Sequence, residues 1–395
     1  MESPDNERWA RVVASLAENN LSALVCRLPE NVVMLSGYWP VLGRSVVVLP
    51  TEGEPALIAP ASEVSAVERG WIPDVRTFHA WRVGDDDPEA SISRLLVQVM
   101  ADRRLTGRRI GYEGSFGDVA VPQRVLEAWA GTPSMVDPSI PGSSAEWVDF
   151  GPQLSRLAGE KTEREITRIR TANEVGDFGL AIFFSETAPG RRESEIAAAV
   201  EAEIHTRGIG YKGTRNARSE AEVISGPRTA DSWDFPTSSD RVIQEGDLVV
   251  MELAVVADGY WADLTRTVVA GRPSDEQLHL FSAQRAAYEA ALEAIRHGAR
   301  AADVDGAARR ALEPFGLSQL FVHHTGHGVG FRYHEPIPFI HPSSTGILGT
   351  GMITSLEPGL YGAHFGLRVE DNVVVTQAGA EPLCHSPRWS HLEAL

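Results

Sequence analysis

Cysteine is scarce in this chain, with only Cys26 and Cys384 among 395 residues. They form no CxxC pair and no disulfide framework, so neither a stapled scaffold nor a paired-cysteine redox motif is available. Both sit among apolar neighbours and read as small core residues in a protein of a reducing cytosol. Positive charge is also in deficit. Lys and Arg number 36 against 54 Asp and Glu, a formal net charge of -18. That balance argues against nucleic acid and against an anionic membrane as partner. No stretch approaches the ~20 apolar residues of a membrane span. The acidic start, Met1 to Glu7, is followed by no apolar core of a signal peptide, so a cytoplasmic protein is expected. Tandem repeats and low-complexity tracts are missing as well.

What is present is ordinary for a soluble globular protein: 43% hydrophobic and 23% charged residues,. The length suits about two or three domains with a sizeable core. Residues 7–18 carry Trp9, Val12, Val13 and Leu16 at helical spacing. Short apolar strands at Leu21–Cys26, Ser45–Leu49 and Ala56–Ala59 then alternate with helical pieces at 29–35 and 62–69. Further signals fall at Val75–His79, Pro88–Leu105, Arg109–Tyr112 and Pro122–Trp129. This pattern predicts an α/β domain over residues 1–155. His79, Trp71 and Trp81 within it read as packing or surface residues.

Residues 151–160 read as a loop leading into a charged helix from Glu163, which continues as a longer apolar stretch to Ser185. Arg192–Arg207 reads as a second amphipathic helix. Strands dominate from Glu222. A buried run, Leu248–Ala254, meets a tight-turn signal at Asp258-Gly259, and Trp261–Val268 returns antiparallel. Ser274-Asp275-Glu276-Gln277 fits a capping box before an Ala-rich helix to about Arg296. Another helix is expected over 303–312.

Five of the twelve histidines fall between His323 and His341. The densest part is Thr325-Gly326-His327-Gly328-Val329-Gly330, followed by His334-Glu335-Pro336. Glycines on both sides let backbone pack closely around His327. Acidic residues flank this island: Glu252 and Asp263 before it, Glu357 and Glu370 after it. Glu252 lies inside an apolar run, where a carboxylate is costly unless paired or coordinated. The predicted hairpin lets Glu252 and Asp263 converge across the ladder. Period-two alternation puts Arg368 and Glu370 on one face. One imidazole and four carboxylates suit a pair of divalent metal ions. Oxygen-rich ligation with one imidazole permits manganese, cobalt, iron or zinc, with manganese favoured. Taken singly, each acid also fits a structural pair or turn, for instance Asp263 with Arg266.

As a set, these residues resemble the creatinase/aminopeptidase P/prolidase superfamily. The resemblance rests on Asp-Leu-Thr-Arg-Thr at Asp263, Gly-His-Gly-Val-Gly at Gly326, His-Glu-Pro at His334, Glu-Pro-Gly-Leu-Tyr at Glu357 and Arg-Val-Glu-Asp-Asn at Arg368. It covers almost the whole chain. It implies a creatinase-type α/β N-terminal domain (1–155) and an α+β pita-bread catalytic domain (156–395). It implies that Asp263 and Glu370 bridge two metals, that Glu252 completes one, and that His327 with Glu357 completes the other. A hydroxide between them would attack a scissile carbonyl, with Glu357 shuttling protons and His334 hydrogen-bonding the substrate. His323 would shape the pocket, and Arg368 would meet a substrate carboxylate. A homodimer acting on a small peptide or amide is also implied.

Two departures stand out. The family has Asp where this chain has Glu252, which moves the carboxylate about 1.5 Å further out. The family's peptidases also carry a substrate-contacting histidine shortly after the Gly226-Pro227 turn. Here that stretch holds no histidine, and Trp233 lies near the expected position. Xaa-Pro peptidase-type metal hydrolysis leads the readings. Hydrolysis of a small non-peptide C–N bond, as in creatine or ectoine hydrolases, and a non-catalytic binding module are the alternatives.

Overall fold

The computed structural model describes residues 3–80, 84, 87–113, 145–234 and 237–389. The predicted helix Pro122–Trp129, Trp81 and Phe235 lie outside the described residues. The chain divides into two compact units, Met1–Ala158 and Gly159–Leu395.

The first unit is built on a mixed six-stranded sheet. Its strands are β1 (Ala23–Cys26), β2 (Val46–Pro50), β3 (Ala56–Pro60), β4 (Asp74–Phe78), β5 (Arg109–Tyr112) and β6 (Glu146–Asp149). Their order is β4-β3-β2-β1-β5-β6, antiparallel across β1–β2–β3 and parallel elsewhere. Helices α1 (Asn6–Glu18), α2 (Pro29–Ser36), α3 (Val64–Val67) and α4 (Pro88–Asp102) accompany it. Cys26 is buried and unbridged, and the Trp71 ring is buried with its N–H on Leu35 O at 2.9 Å. Residues 151–160 correct the sequence reading. The expected loop is helix α5 (Gly151–Gly159). Asp149 Oδ1 accepts the Gly151 N–H at 2.8 Å and Leu154 is buried. Pro152 sits in the first turn, where a missing N–H costs nothing.

In the second unit, α6 (Glu163–Glu186) starts at a capping box between Thr162 and Glu165,. Together with α7 (Glu193–Gly208) it packs on an antiparallel sheet of β7 (Ala217–Ser225), β8 (Leu248–Ala257) and β9 (Tyr260–Val269). Asp258 and Gly259 join β8 to β9 with positive φ at both, the conformation that matches strand twist in a two-residue hairpin,. A second helix pair is α8 (Asp275–Ala294), which begins at the expected Ser274–Gln277 capping box, and α9 (Ala301–Ala311). This pair packs on β10 (Gly326–Gly328), β11 (Glu335–Ile340), β12 (Ile353–Leu356), β13 (Gly359–Tyr361), β14 (Gly366–Arg368), β15 (Asp371–Val375) and β16 (Ala380–Pro382). The larger sheet runs β11-β10-β12-β15-β16, and β13 pairs with β14.

Alternation then decides which side chains face the helices. Val249, Met251, Leu253 and Val255 of β8, with Ala262 and Leu264 of β9, form one core with α6 and α7. Leu356, Leu367, Val369 and Val373 form a second core with α8 and α9. Residues of opposite parity, including Glu252, Asp263, Thr265, Glu357, Arg368 and Glu370, point away from both cores. No helix among the described residues is long and apolar enough to cross a membrane.

Candidate metal centre

Strands β8 and β9 deliver Glu252 and Asp263 on a diagonal, because Glu252 lies opposite Thr265 and Asp263 opposite Ala254. Diagonal neighbours on one face of an antiparallel pair remain within reach of long side chains. From the other sheet come His327 on β10, Glu357 after β12, and Glu370 between β14 and β15. The glycines around His327 are there because backbone crowds it. A Cβ on Gly326 would lie 2.1 Å from Ser355 O, and one on Gly328 would lie 2.3 Å from Ile337 O.

The result is a small cleft, partly open to solvent. Three overlapping groups of metal-capable atoms meet in it: Glu252, Asp263 and Glu370; Asp263, His327 and His334; and His324, His327 and Glu357. All five predicted ligands are therefore brought together. His327 Nε2 lies 3.3 Å from Glu357 Oε1 and 3.4 Å from Asp263 Oδ2, while His334 Nε2 lies 3.6 Å from Asp263 Oδ2. The His327 Nδ1–H donates to Gly328 O at 3.0 Å, because a carbonyl can only accept. That leaves Nε2 facing the carboxylates, as a metal-binding imidazole does.

The protonation pattern is that of a cation site. Burial disfavours an imidazolium, yet the Asp263 and Glu357 carboxylates overcome it and push His327 up to about 9. Burial would also raise Asp263, but contacts with His327 and His334 hold it below the ordinary carboxylate range. Glu357 is likewise held low against burial by His324, His327 and His323. Glu370 moves the other way: burial, reinforced by the charges of Asp263, Glu357 and Glu252, raises it well above its usual value. Glu252 is raised by burial and by Asp263, with Arg368 opposing.

Hydrogen bonding agrees. Thr265 Oγ1 accepts the Arg368 Nε–H at 3.0 Å and lies 2.7 Å from Glu252 Oε2 and 2.6 Å from Glu370 Oε2. One hydroxyl proton cannot serve two carboxylates, so one of these acids carries a proton of its own. Asp263 Oδ1 and Glu370 Oε1 are buried with no hydrogen-bond donor, and Asp263 Oδ2 has only the long contacts to His327 and His334. Such orphaned oxygens are rare in folded proteins and demand a counterpart. A divalent ion is the counterpart the donor set fits: carboxylate oxygens with imidazole. Metal binding would release the shared protons.

Arg368, expected from the resemblance to meet a substrate carboxylate, lines the cleft and is engaged by groups of its own chain. Its Nη2 pairs with Glu252, Nη1 donates to Tyr361 OH at 3.0 Å and to Ser232 O at 3.3 Å, and Nε is taken by Thr265. The extra methylene of Glu252 carries its carboxylate out to this guanidinium, and Tyr333 OH donates to its other oxygen at 2.6 Å. His323 borders the cleft as a neutral ring. Its Nδ1–H donates to His324 O at 2.7 Å, its Nε2 accepts the Tyr361 hydroxyl at 3.1 Å, and burial lowers it to about 4. Trp233 lines the cleft and is 47% exposed. Glu335 of the His-Glu-Pro motif does not enter the site. It pairs with the buried Lys161 and accepts the Phe331 N–H at 2.6 Å, fixing the turn that presents His334.

Four residues of the site were not singled out from sequence. Thr265 and Tyr361 lie inside motifs already recognised, and Tyr333 immediately precedes one. His324 was counted only as one of five clustered histidines, and that density was the signal for it.

Known proteins resemble the chain in both of its units. The model of metallopeptidase family M24 matches residues 167–377, and that of the creatinase/prolidase N-terminal domain matches residues 8–141. A probable dipeptidase PepE of Mycobacterium tuberculosis is 32% identical over 387 residues, 96% of this chain and 94% of its own length. An Xaa-Pro dipeptidase of Lactobacillus delbrueckii subsp. lactis is 32% identical over 245 residues, 61% of this chain. That match spans 65% of the Lactobacillus enzyme, just under two thirds of its length. The solved prolidase from Pyrococcus furiosus superposes with a TM-score of 0.74 at 27% identity, covering 95% of this chain and 100% of that one. The architecture is the expected one, a mixed α/β unit followed by an α+β pita-bread unit.

Proposed function

Since the chain belongs to metallopeptidase family M24, we propose that it is a two-metal hydrolase cleaving the C–N bond of a small peptide of the Xaa-Pro dipeptide class. The observation that carries this reading is the convergence of three overlapping groups of metal-capable side chains on Asp263 and His327, with Glu252, Glu357 and Glu370 among them. Asp263 and Glu370 would be shared between two ions, Glu252 completing one position and His327 with Glu357 the other. Bound there, divalent ions supply Lewis-acid activation of the scissile carbonyl and of an attacking water. Manganese is favoured at the all-oxygen position, and cobalt, iron and zinc are compatible with the set.

The remaining steps belong to the chain's own residues. Glu357, kept ionised by its histidine neighbours, takes the proton of the attacking water and returns it to the leaving amine,. His334, kept neutral by burial and by the His327 charge, donates a hydrogen bond to the substrate carbonyl. His323 walls the pocket. Arg368 holds Glu252 in place and lines the cleft, where it is the cation placed to meet a substrate carboxylate. Two buried, unbridged cysteines suit a reducing cytoplasm, and the two-domain layout suits a homodimer.

Trp233, standing where the family's peptidases carry a histidine, favours a second reading: a small non-peptide C–N substrate. Chelated and reconstituted protein should be assayed against Xaa-Pro dipeptides and against creatine- and ectoine-like amides, with metal content measured in parallel. Turnover of dipeptides that is lost with chelator and restored by metal is the expected result. Turnover of the small amides alone would promote the second reading. Activity indifferent to metal would end the two-metal reading.

A further inference from the structure

His324 has no place in the five-ligand set above, yet its geometry is that of a ligand. Its Nε2 lies 3.4 Å from Glu357 Oε1, and His327 Nε2 lies 3.3 Å from the same oxygen. The three donor atoms fall within 4.8 Å of one another. Metal–nitrogen and metal–oxygen bonds of about 2.0–2.1 Å, set at tetrahedral angles, separate neighbouring donors by about 3.3–3.4 Å. Two of the three edges are thus already at the spacing of a coordinated ion.

The nitrogen makes no well-aligned hydrogen bond. His324 Nε2 is shielded from water and has only the long contact to Glu357 Oε1. A buried ring nitrogen in that state needs an explanation. Nor is the ring loosely held. It packs at 5.1 Å from the Phe339 ring, 5.7 Å from His327 and 5.8 Å from His323. The backbone beneath is tied down: Arg309 Nη2 donates to His323 O at 2.6 Å, and the His323 Nδ1–H donates to His324 O. Thr325, the next residue, donates its hydroxyl to Asp305 at 2.8 Å. A ring so fixed loses little further freedom on binding an ion.

Resting on the two-metal reading above, we propose that His324 is a further metal ligand, joining His327 and Glu357 around one ion. The two positions of the centre then differ in kind. Glu252, Asp263 and Glu370 offer oxygen alone, which suits manganese. The His324 position offers two imidazoles and a carboxylate, which suits cobalt or zinc better than manganese. The competing account makes His324 a plain ion-pair partner of Glu357, with no contact to metal.

Cobalt(II) separates the two. Protein stripped with chelator and titrated with cobalt should take up two ions per chain, one with the strong visible absorption of low coordination. His324→Ala should weaken that ion at least about 10- to 100-fold, the loss that even an outer partner of a ligand causes. Its visible band should change, while manganese uptake at the oxygen-only position persists. His324→Gln guards against a packing artefact, and thermal unfolding of the metal-free variants checks their fold. Wild-type protein gives an independent count through paramagnetically shifted imidazole N–H resonances: two ligand rings at the nitrogen-rich position if His324 binds, one if it does not. An unchanged cobalt affinity and band in both variants, or a single shifted ring there, would overturn the proposal and leave the hydrolase reading standing. Wild-type protein that binds no cobalt would remove both.

Discussion

Glu370 and Asp371 are consecutive buried acids, 1% and 0% exposed, and they live in opposite worlds. Strand alternation sends Glu370 into the cleft and Asp371 to the helix side. Asp371 is fully answered there. Arg266 Nη2 donates to it at 2.8 Å, Tyr288 OH at 2.5 Å, and Arg388 Nε completes the set. Burial alone would raise it, but Arg266 and Arg388 hold it below the ordinary range. Glu370 has the Thr265 hydroxyl, one orphaned oxygen and three acidic neighbours, and it is raised. The arginine cluster balances its charges within the protein. The cleft leaves its charges unbalanced, and that surplus is what a cation would find.

Removing each acid should therefore act on different quantities. Asp371→Ala strands a buried guanidinium, so unfolding free energy from urea titration should fall by about 3–5 kcal/mol. Glu370→Gln should leave the chelated protein as stable as before or more so, because it removes a like-charge conflict. Its cost should fall on turnover, about 100-fold or more, or at least about 2.7 kcal/mol in the barrier. Equal destabilisation by the two changes would erase the contrast.

The pH response sharpens it next. His327 is raised from its ordinary 6.5 to about 9 in the metal-free fold. Its stabilising effect is complete below pH 6.5 and disappears as pH rises through about 9, on the order of 3 kcal/mol in all. Glu252 and Glu370, also raised, act in the same direction from lower pH. Asp371 acts oppositely: its contribution stands above about pH 3.8 and is lost as pH falls through its lower folded value,. Urea titrations of chelated protein across pH 6–10 should show stability falling, and His327→Gln should flatten that slope. Added cobalt should reverse the trend, since metal competes with protons for the same nitrogen.

Trp233 should give the smallest effect. Half exposed, it contributes little to folding, so Trp233→Ala should shift stability by less than about 0.5 kcal/mol,. A rise in KM of about 2- to 10-fold with kcat nearly unchanged would mark lost substrate contact. A collapse of kcat would instead place Trp233 nearer the reacting atoms.

Much of this was legible in the chain itself. The Asp258-Gly259 signal fixed the hairpin that lets Glu252 and Asp263 converge, alternation put Arg368 and Glu370 on one face, and the glycines announced close packing around His327. What was hidden are choices of partner. Thr265 meets Glu370 across 105 residues, and Arg368 meets Glu252 across 116. Periodicity says which face a side chain takes, not who waits opposite. The resemblance assigned Arg368 to a substrate carboxylate, and its pairing with Glu252 was not legible beside that. The helix Gly151–Gly159 was hidden differently: the segment read as a loop, and what favours a helix is the Asp149 carboxylate at its start and the burial of Leu154. His324 escaped because neighbouring His323 fitted a known motif and drew the assignment.

The diagonal placement of Glu252 and Asp263 on β8 and β9 has one more consequence. A slip of one residue in either strand would turn its acid toward the helices and an aliphatic side chain toward the cleft,. Metal capture is therefore a checksum on the fold. A molecule that takes up its ions has threaded that hairpin in register, and metal present during refolding would draw chains toward the correct pairing.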